Sequence, residues 1–210
     1  MKRVLHIAFL LLMSVNAFSA DIKELFLNMP NELTPLLSRS AKLDFFDYME
    51  IGMEAKTANN LQGKSEMLFV ADDMLSVQMT PASKFDMKLF YRKDSSVVIA
   101  IIETVCGEKC DSYMSFYNDK WEELDATDLI ELPVLEDYLS KRALKDDQIK
   151  DKLGEFIYRF YTIVAKPGEN GLQIKITTSE MMDEEVDSRA FEKDVIVYRW
   201  NGKRFVLSKK

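Results

Sequence analysis

The feature that most constrains the fold is a pair of cysteines, Cys106 and Cys110, which are the only two in the chain and stand between two strand-like runs. Residues 97–102 form a continuous and largely β-branched run, typical of a strand buried on both faces. Residues 113–117 form a second strand-like run, and residues 107–109 supply a short loop with a glycine. This spacing predicts an antiparallel hairpin in which Cys106 faces Cys110 across the mouth.

The N-terminus has the pattern of a secretory signal peptide. Residues 1–3 are short and basic, residues 4–15 are almost entirely apolar, and the small residues Ala17 and Ser19 fit the small-x-small rule for cleavage. The apolar run is shorter than the roughly 20 residues that a membrane-spanning helix needs. We therefore predict that residues 1–19 are a signal peptide cleaved after Ser19, with cleavage after Ala20 as the second choice.

The predicted mature chain, residues 20–210, is of a size that suits one α+β domain. Its halves, residues 20–130 and 131–210, are loosely alike and could be a pseudo-repeat. No cysteine lies near the cleavage site, so a lipid anchor is not expected there, and no later segment is apolar enough to span a bilayer. The expected location is the periplasm or the exterior of the cell.

Cleavage would remove His6, the only histidine in the chain. Without histidine, the mature chain cannot form a Ser-His or Cys-His catalytic pair or a His-ligated metal site. Residues 1–19 carry two of the 28 Lys and Arg residues and none of the 35 Asp and Glu residues, so the formal net charge of the mature chain is −9. An acidic chain repels phosphate backbones, and nucleic acid is not an expected partner.

In an oxidising compartment, Cys106 and Cys110 are expected to form a structural disulfide. Two alternatives stay open. A redox-active disulfide is less in keeping with the spacing, because thioredoxin-type enzymes use Cys-x-x-Cys before a helix and this pair precedes a strand-like run. A metal site of the Cys-x-x-x-Cys type is the other alternative, although such copper sites recruit a distant histidine. No cofactor or metal is predicted.

The rest of the chain predicts an α+β fold made mainly of antiparallel β-sheet meanders with a few short helices. Two helix-plus-meander units that share one sheet are a possible arrangement. Helices are expected over residues 21–27, from a cap at Ser40 to near Gly52, and, in two pieces, from about residue 134 to 153. In the second helix, Leu43, Phe46 and Met49 recur on one face. In the strand around residues 85–91, Asp86 and Lys88 are expected outside. Further strands are expected at residues 67–70, 75–79, 156–164, 172–177, 195–200 and 203–207.

Two motifs carry little chemistry. Residues 58–65 fit a relaxed phosphate-loop pattern, but no buried strand precedes them and no helix pattern follows, so a turn is the better interpretation. Carboxylates are plentiful, yet no single pair stands out as the acid and base of a hydrolase.

Four aromatic residues near strand ends are candidates for an exposed binding surface. Tyr113 and Tyr117 should share one face of a strand, and Trp121 and Trp200 follow strand-like runs. Exposed aromatics would suit a protein or a glycan partner. The competing interpretation is that these side chains fill or cover the core.

Several segments resemble a known family. Residues 60–65, 103–106 and 111–121, together with the start at residues 25–30, are similar to an uncharacterised family of exported proteins from Bacteroides and its relatives, catalogued as a domain of unknown function. The resemblance implies a Bacteroidetes envelope or secreted protein. It implies no activity, ligand or catalytic residue.

The sequence therefore favours a non-enzymatic interaction protein that contacts an unknown protein or glycan through a sheet face or through the acidic loop at residues 180–193. The alternative is a histidine-free envelope enzyme. It would be either a carboxylate-based hydrolase or a thiol–disulfide protein that uses Cys106 and Cys110.

Overall fold

The structure is a computed structural model that describes residues 20–147, 159–178 and 191–208. The predicted signal peptide and most of the acidic loop lie outside the described residues. The described helices are α1 (Ile22–Asn28), α2 (Arg39–Glu50) and α3 (Ala126–Leu129), with 3-10 turns at Asn31–Leu33, Leu135–Tyr138 and Ala143–Lys145. The described strands are β1 (Lys56–Ala58), β2 (Lys64–Val70), β3 (Met74–Thr80), β4 (Ser83–Tyr91), β5 (Val97–Cys106), β6 (Cys110–Tyr117), β7 (Glu123–Leu124), β8 (Arg159–Val164), β9 (Gly171–Thr178), β10 (Val195–Trp200) and β11 (Phe205–Leu207).

These strands form two antiparallel sheets. The first has seven strands in the order β1-β2-β3-β4-β5-β6-β7, and the second has four in the order β11-β10-β9-β8. The predicted α+β class with antiparallel meanders is confirmed. The two meanders do not share one sheet, because β5 is apolar on both faces and each face needs its own cover.

The two cores lie on opposite faces of the seven-stranded sheet. The helix-side core lies between that sheet and α1 and α2, and it includes Phe26, Phe45, Leu75, Val77, Phe85, Met87, Ile99 and Ile101. The inter-sheet core lies between the two sheets, and it includes Phe90, Val98, Ala100, Ile102, Phe116, Ile174, Ile196, Tyr198, Trp200 and Phe205. Successive residues of β5 alternate between the two cores, as the period of a strand requires.

The first two helices occur where the sequence predicts them, but the details of α2 differ. Its N-cap is Ser38, whose hydroxyl accepts a hydrogen bond from the Ala41 N–H, and Ser40 lies inside the helix. The buried face is Ala41, Lys42, Phe45 and Phe46. Of the three apolar residues that recur on one face in the sequence, only Phe46 is buried, and Leu43 and Met49 are each 38% exposed.

In the described part of the third predicted helical stretch, residues 134–147, the chain forms two 3-10 turns, and Asp147 at the end of this range is α-helical. The Asp137 carboxylate accepts the Val134 N–H and closes a single turn. The fully buried Tyr138 then donates its hydroxyl to the Ile174 carbonyl and anchors the turn to the second sheet. At Tyr138, docking to the sheet thus favours a single 3-10 turn in place of an α-helix, and residues 148–153 of that prediction lie outside the described residues.

A charged link joins the two sheets. Lys88 on β4 is 1% exposed, and its ammonium donates to the Asp73 carboxylate and to the Lys166 carbonyl at 2.9 Å. Asp73 also accepts the Gly168 N–H at 3.1 Å. The turn after β8 is therefore tied to the turn before β3 through one buried lysine.

Candidate functional site: a cleft beside β6

The β5–β6 hairpin carries the predicted disulfide, which is present between Cys106 and Cys110 with an S–S distance of 2.01 Å. The two residues are paired directly across the ladder, with their Cα atoms 4.0 Å apart. The Cys106 N–H donates to the Ala82 carbonyl on the β4 side at 2.8 Å. Cys106 and Cys110 are thus a non-hydrogen-bonded pair of the ladder. This determines which of the other residue pairs in the hairpin are hydrogen-bonded.

The order of hydrogen-bonded and non-hydrogen-bonded pairs determines which backbone groups of β6 point away from β5. Hydrogen-bonded and non-hydrogen-bonded pairs alternate along an antiparallel ladder. Counting from Cys110, Ser112, Met114 and Phe116 direct their N–H and C=O groups toward the outer edge. The Asn118 N–H, which continues this series, donates to the Glu122 carbonyl and agrees with the assignment.

That outer edge is only partly paired. β7 contributes two residues, which pair with Phe116 and Tyr117. The chain then leaves the edge because Asp125 starts α3, its carboxylate accepting the Thr127 N–H at 2.9 Å and the Thr127 hydroxyl at 2.7 Å. Within the described residues no strand pairs with β6 at Met114 on this side.

The edge is closed again beyond Ser112, where β8 approaches. The Tyr161 N–H donates to the Asp111 carboxylate at 2.9 Å, and the Ile163 N–H donates to the Ser112 hydroxyl at 3.1 Å. These side-chain acceptors satisfy the exposed edge of the second sheet. The open stretch of β6 is therefore bounded by β8 on one side and by β7 on the other.

A cleft of about 410 Å³ lies at this open stretch. It is lined by residues 113–116 of β6 and by residues 123–126, where β7 turns into α3. The volume falls within the roughly 300–1,000 Å³ that ligand pockets span. Tyr113, 65% exposed, stands at the rim.

The electrostatics of the cleft are acidic. Residues 119–128 hold five acidic residues and one basic residue. Hydrogen bonds from Thr127 lower the pKa of Asp125. Glu103, which pairs with Tyr113 across the ladder, has a pKa raised by desolvation.

The structure does not bring the four predicted aromatic residues to one surface. Tyr113 alone lines the cleft. Tyr117 is 8% exposed in the helix-side core, and Trp121 packs on it with ring centroids 5.8 Å apart. Trp200 is 5% exposed in the inter-sheet core, where its indole N–H donates to the Tyr91 carbonyl at 2.8 Å. Trp200 is inward because it continues the inward series of Ile196 and Tyr198 along β10.

Buried charges are the functional-group feature that sequence reasoning missed. Asp86 and Lys88, expected outside, are each 1% exposed because the second sheet covers that face of β4. Asp86 accepts the Ser76 hydroxyl and pairs with the Lys84 ammonium at 2.8 Å. Lys42 is also 1% exposed, between the helices and the sheet. In the sequence these residues occupy polar positions of an amphipathic pattern, so only the packing distinguishes them.

Two further observations bear on membrane and metal chemistry. Among the residues that the structure describes, no helix combines the length and apolarity needed to cross a membrane. Over those same ranges, no three His, Cys, Asp or Glu side chains come together in the way that a bound metal ion requires.

Comparison with known proteins places this fold in an uncharacterised group. A solved domain of an uncharacterised protein from Porphyromonas gingivalis W83 has the same fold, with a TM-score of 0.77 and 21% sequence identity over 90% of this chain and 98% of that one. No curated protein is significantly similar to the chain. The sequence pattern of one family matches residues 14–205. The predicted membership of an uncharacterised family is confirmed, and the chain belongs to the family described as Protein of unknown function (DUF3256).

Proposed function

We propose that this protein is an exported, non-enzymatic binding protein that holds part of a protein or glycan partner in the cleft beside β6. The observation that carries the proposal is the exposed Tyr113 at the rim of a ligand-sized cleft next to an open strand edge. Aromatic side chains that remain exposed on a rigid sheet are typical anchors for partners.

Export is the second part of the proposal. It is supported by the signal-peptide pattern of residues 1–19 and by the disulfide between Cys106 and Cys110, since paired cysteines usually close in oxidising compartments. The periplasm and the cell exterior are both consistent with these features.

A native mass spectrum of the protein purified from its host's envelope tests both parts. The expected species begins at Ala20 and lacks two hydrogens relative to the reduced chain. It also carries a non-covalently bound partner molecule, called the companion below. A variant with Tyr113→Ala and Glu123→Gln should lose that companion, because both side chains line the cleft.

The matched control is Val105→Ala with Glu50→Gln. Val105 is 59% exposed on the strand next to β6 but does not line the cleft, and Glu50 is exposed at the end of α2. The control should keep the companion. A companion that survives both double variants, or wild-type protein that carries none, would contradict a binding role for the cleft.

A carboxylate-based hydrolase is the second candidate. It is favoured by the carboxylates of Glu123 and Asp125 at the cleft. Under that mechanism Asp125→Asn should abolish turnover of a bound glycan, whereas a pure binding protein should leave its bound partner uncleaved with or without the substitution.

A further inference from the structure

We infer that the occupant of the cleft is a short extended peptide segment carrying basic side chains, which adds to β6 at Met114. This inference rests on the proposed binding function and names the class of partner. It is drawn from the backbone geometry of β6, from the exposed Tyr113 and from the charge of the cleft.

The backbone provides the first argument. The backbone N–H and C=O of Met114 point into the cleft, because Met114 belongs to a pair that is not hydrogen-bonded to β5. A peptide offers a donor and an acceptor in alternation and can pair with both groups, as in recognition by strand addition. The backbone groups of the neighbouring residues Tyr113 and Ser115 pair with β5, so they do not compete with Met114 for hydrogen bonds to the ligand.

The two ends of the opening limit the length of the paired segment. β7 occupies the edge from Phe116 onward, and β8 approaches at Ser112. Only Met114 lies between them with outward backbone groups. The peptide therefore gains two backbone hydrogen bonds, and its side chains must contribute the remaining affinity.

Side chains around the opening favour a cation. The ring of Tyr113 is exposed at the rim, and a Lys or Arg side chain can lie over it. The carboxylates of Glu123 and Asp125 also line the cleft, and that of Asp125 accepts hydrogen bonds from Thr127. A basic extended segment complements the aromatic rim, the carboxylates and the backbone edge together.

The test uses defined peptides and amide NMR of the full protein. The probe is a capped eight-residue peptide that alternates lysine with valine, and its counterpart alternates glutamate with valine. Two isomers of the lysine peptide carry N-methyl groups on either the odd or the even residues. The N–H groups of a strand alternate in direction, so only one isomer removes the donor that faces β6, and the other is its matched control.

The expected result is a shift of the Met114 and Tyr113 amide signals with the lysine peptide. The isomer methylated on the pairing side should bind about tenfold more weakly than the other isomer, as for the loss of one backbone hydrogen bond. Glu123→Gln should weaken binding by about two- to fivefold, and Glu50→Gln should leave it unchanged.

Three outcomes would overturn the inference. Equal binding of both methylated isomers would exclude strand pairing, and equal binding of the glutamate peptide would exclude charge selection. Failure of every peptide to shift Met114, while a companion in the native mass spectrum still depends on Tyr113 and Glu123, would show a cleft ligand of another class. That last result leaves the proposed binding function standing.

Discussion

Lys42 shows how one residue can set the pH dependence of stability. Its ammonium lies in the helix-side core, donates to the Met29 carbonyl at 3.2 Å and sits 5.4 Å from the centroid of the Phe26 ring. Desolvation, with a smaller effect of Arg39, lowers its pKa to about 8. Between that value and the ordinary 10.5, the unfolded chain binds more protons than the folded one, so stability should rise with pH over this window.

Lys42→Met should therefore stabilise the protein at pH 7, by roughly 1–3 kcal/mol, because it removes a buried charge that has no carboxylate partner in the described residues. It should also flatten the rise in stability between pH 8 and 10.5. Urea unfolding at pH 7 and pH 9.5 measures both effects. Lys120→Met, at an exposed position, serves as the control, and a Lys42→Met protein less stable than wild type at pH 7 would refute the assignment.

At this scale the sequence predicts which residues share a face but not what covers the face. The alternation of Phe85, Met87 and Leu89 correctly places these residues in one core. The same alternation places Asp86 and Lys88 opposite them, and a polar face ordinarily means solvent. The second sheet buries them through contacts distant in sequence, which no local pattern contains.

The β5–β6 hairpin combines two jobs in one element. Its disulfide closes the tip, and next to the tip Asp111 and Ser112 hold the edge of β8. The disulfide thus stabilises both the hairpin and the contact between the sheets.

Replacing both cysteines, Cys106→Ser with Cys110→Ser, should lower stability by roughly 2 kcal/mol, the value for a loop of this length in the chain-entropy model. Partner binding should persist, because neither cysteine lines the cleft. Urea unfolding reports the first effect and native mass spectrometry the second. A folded double variant that has lost its cellular role would instead favour the thiol–disulfide hypothesis.

Removing the acceptor of the β8 edge should have a local signature. Asp111→Ala is expected to cost about 1 kcal/mol, the net value of one hydrogen bond, and to speed hydrogen exchange at the Tyr161 amide. Exchange at Ile163, which is held by Ser112, should change less. Unchanged exchange at Tyr161 would mean that another group protects this edge.

Elements with strong local patterns were predicted well, and short ones were not. Turn chemistry and alternation locate the hairpins, and helix α1 begins after Asp21, whose carboxylate accepts the Lys23 N–H. β7 has two residues and no pattern of its own, so neither that strand nor the cleft at its end could be predicted. The sequence left the four aromatic residues open between surface and core, and of these Tyr113 is exposed whereas Tyr117 and Trp200 are buried.

At the scale of the whole molecule, one layer of helices and two sheets enclose two cores, and the Lys88–Asp73 ion pair of the first sheet is hydrogen-bonded to the turn after β8 in the second. The Asp73 carboxylate and the Lys166 carbonyl together compensate for the burial of the Lys88 charge. Burial makes this link sensitive to the loss of either partner.

Asp73→Ala should destabilise the protein by about 3 kcal/mol, because it leaves the Lys88 ammonium buried without its carboxylate. Adding Lys88→Met to that variant should recover part of the loss, since the double variant no longer buries an unpaired charge. Urea unfolding of the three proteins decides the matter. A double variant less stable than Asp73→Ala alone would mean that Lys88 contributes chiefly through packing.

The fold class could be predicted from the sequence, but the arrangement of the two sheets could not. Runs of short strands joined by turns predict antiparallel meanders, and β5 predicts burial on both faces. Which surface buries each face depends on packing between distant segments. The pairing of β8 with β6 side chains is a contact of this kind.

The most direct test of the cleft as the binding site is photo-crosslinking in the living host, with a photoreactive amino acid that keeps an aromatic ring at position 113 or, as the control, at position 61. Tyr113 and Leu61 are similarly exposed, at 65% and 69%, but only Tyr113 lines the cleft. We predict one discrete crosslinked species from position 113 that is reduced by Glu123→Gln, and none from position 61. Crosslinks of equal yield from both positions, or from position 61 alone, would contradict the account.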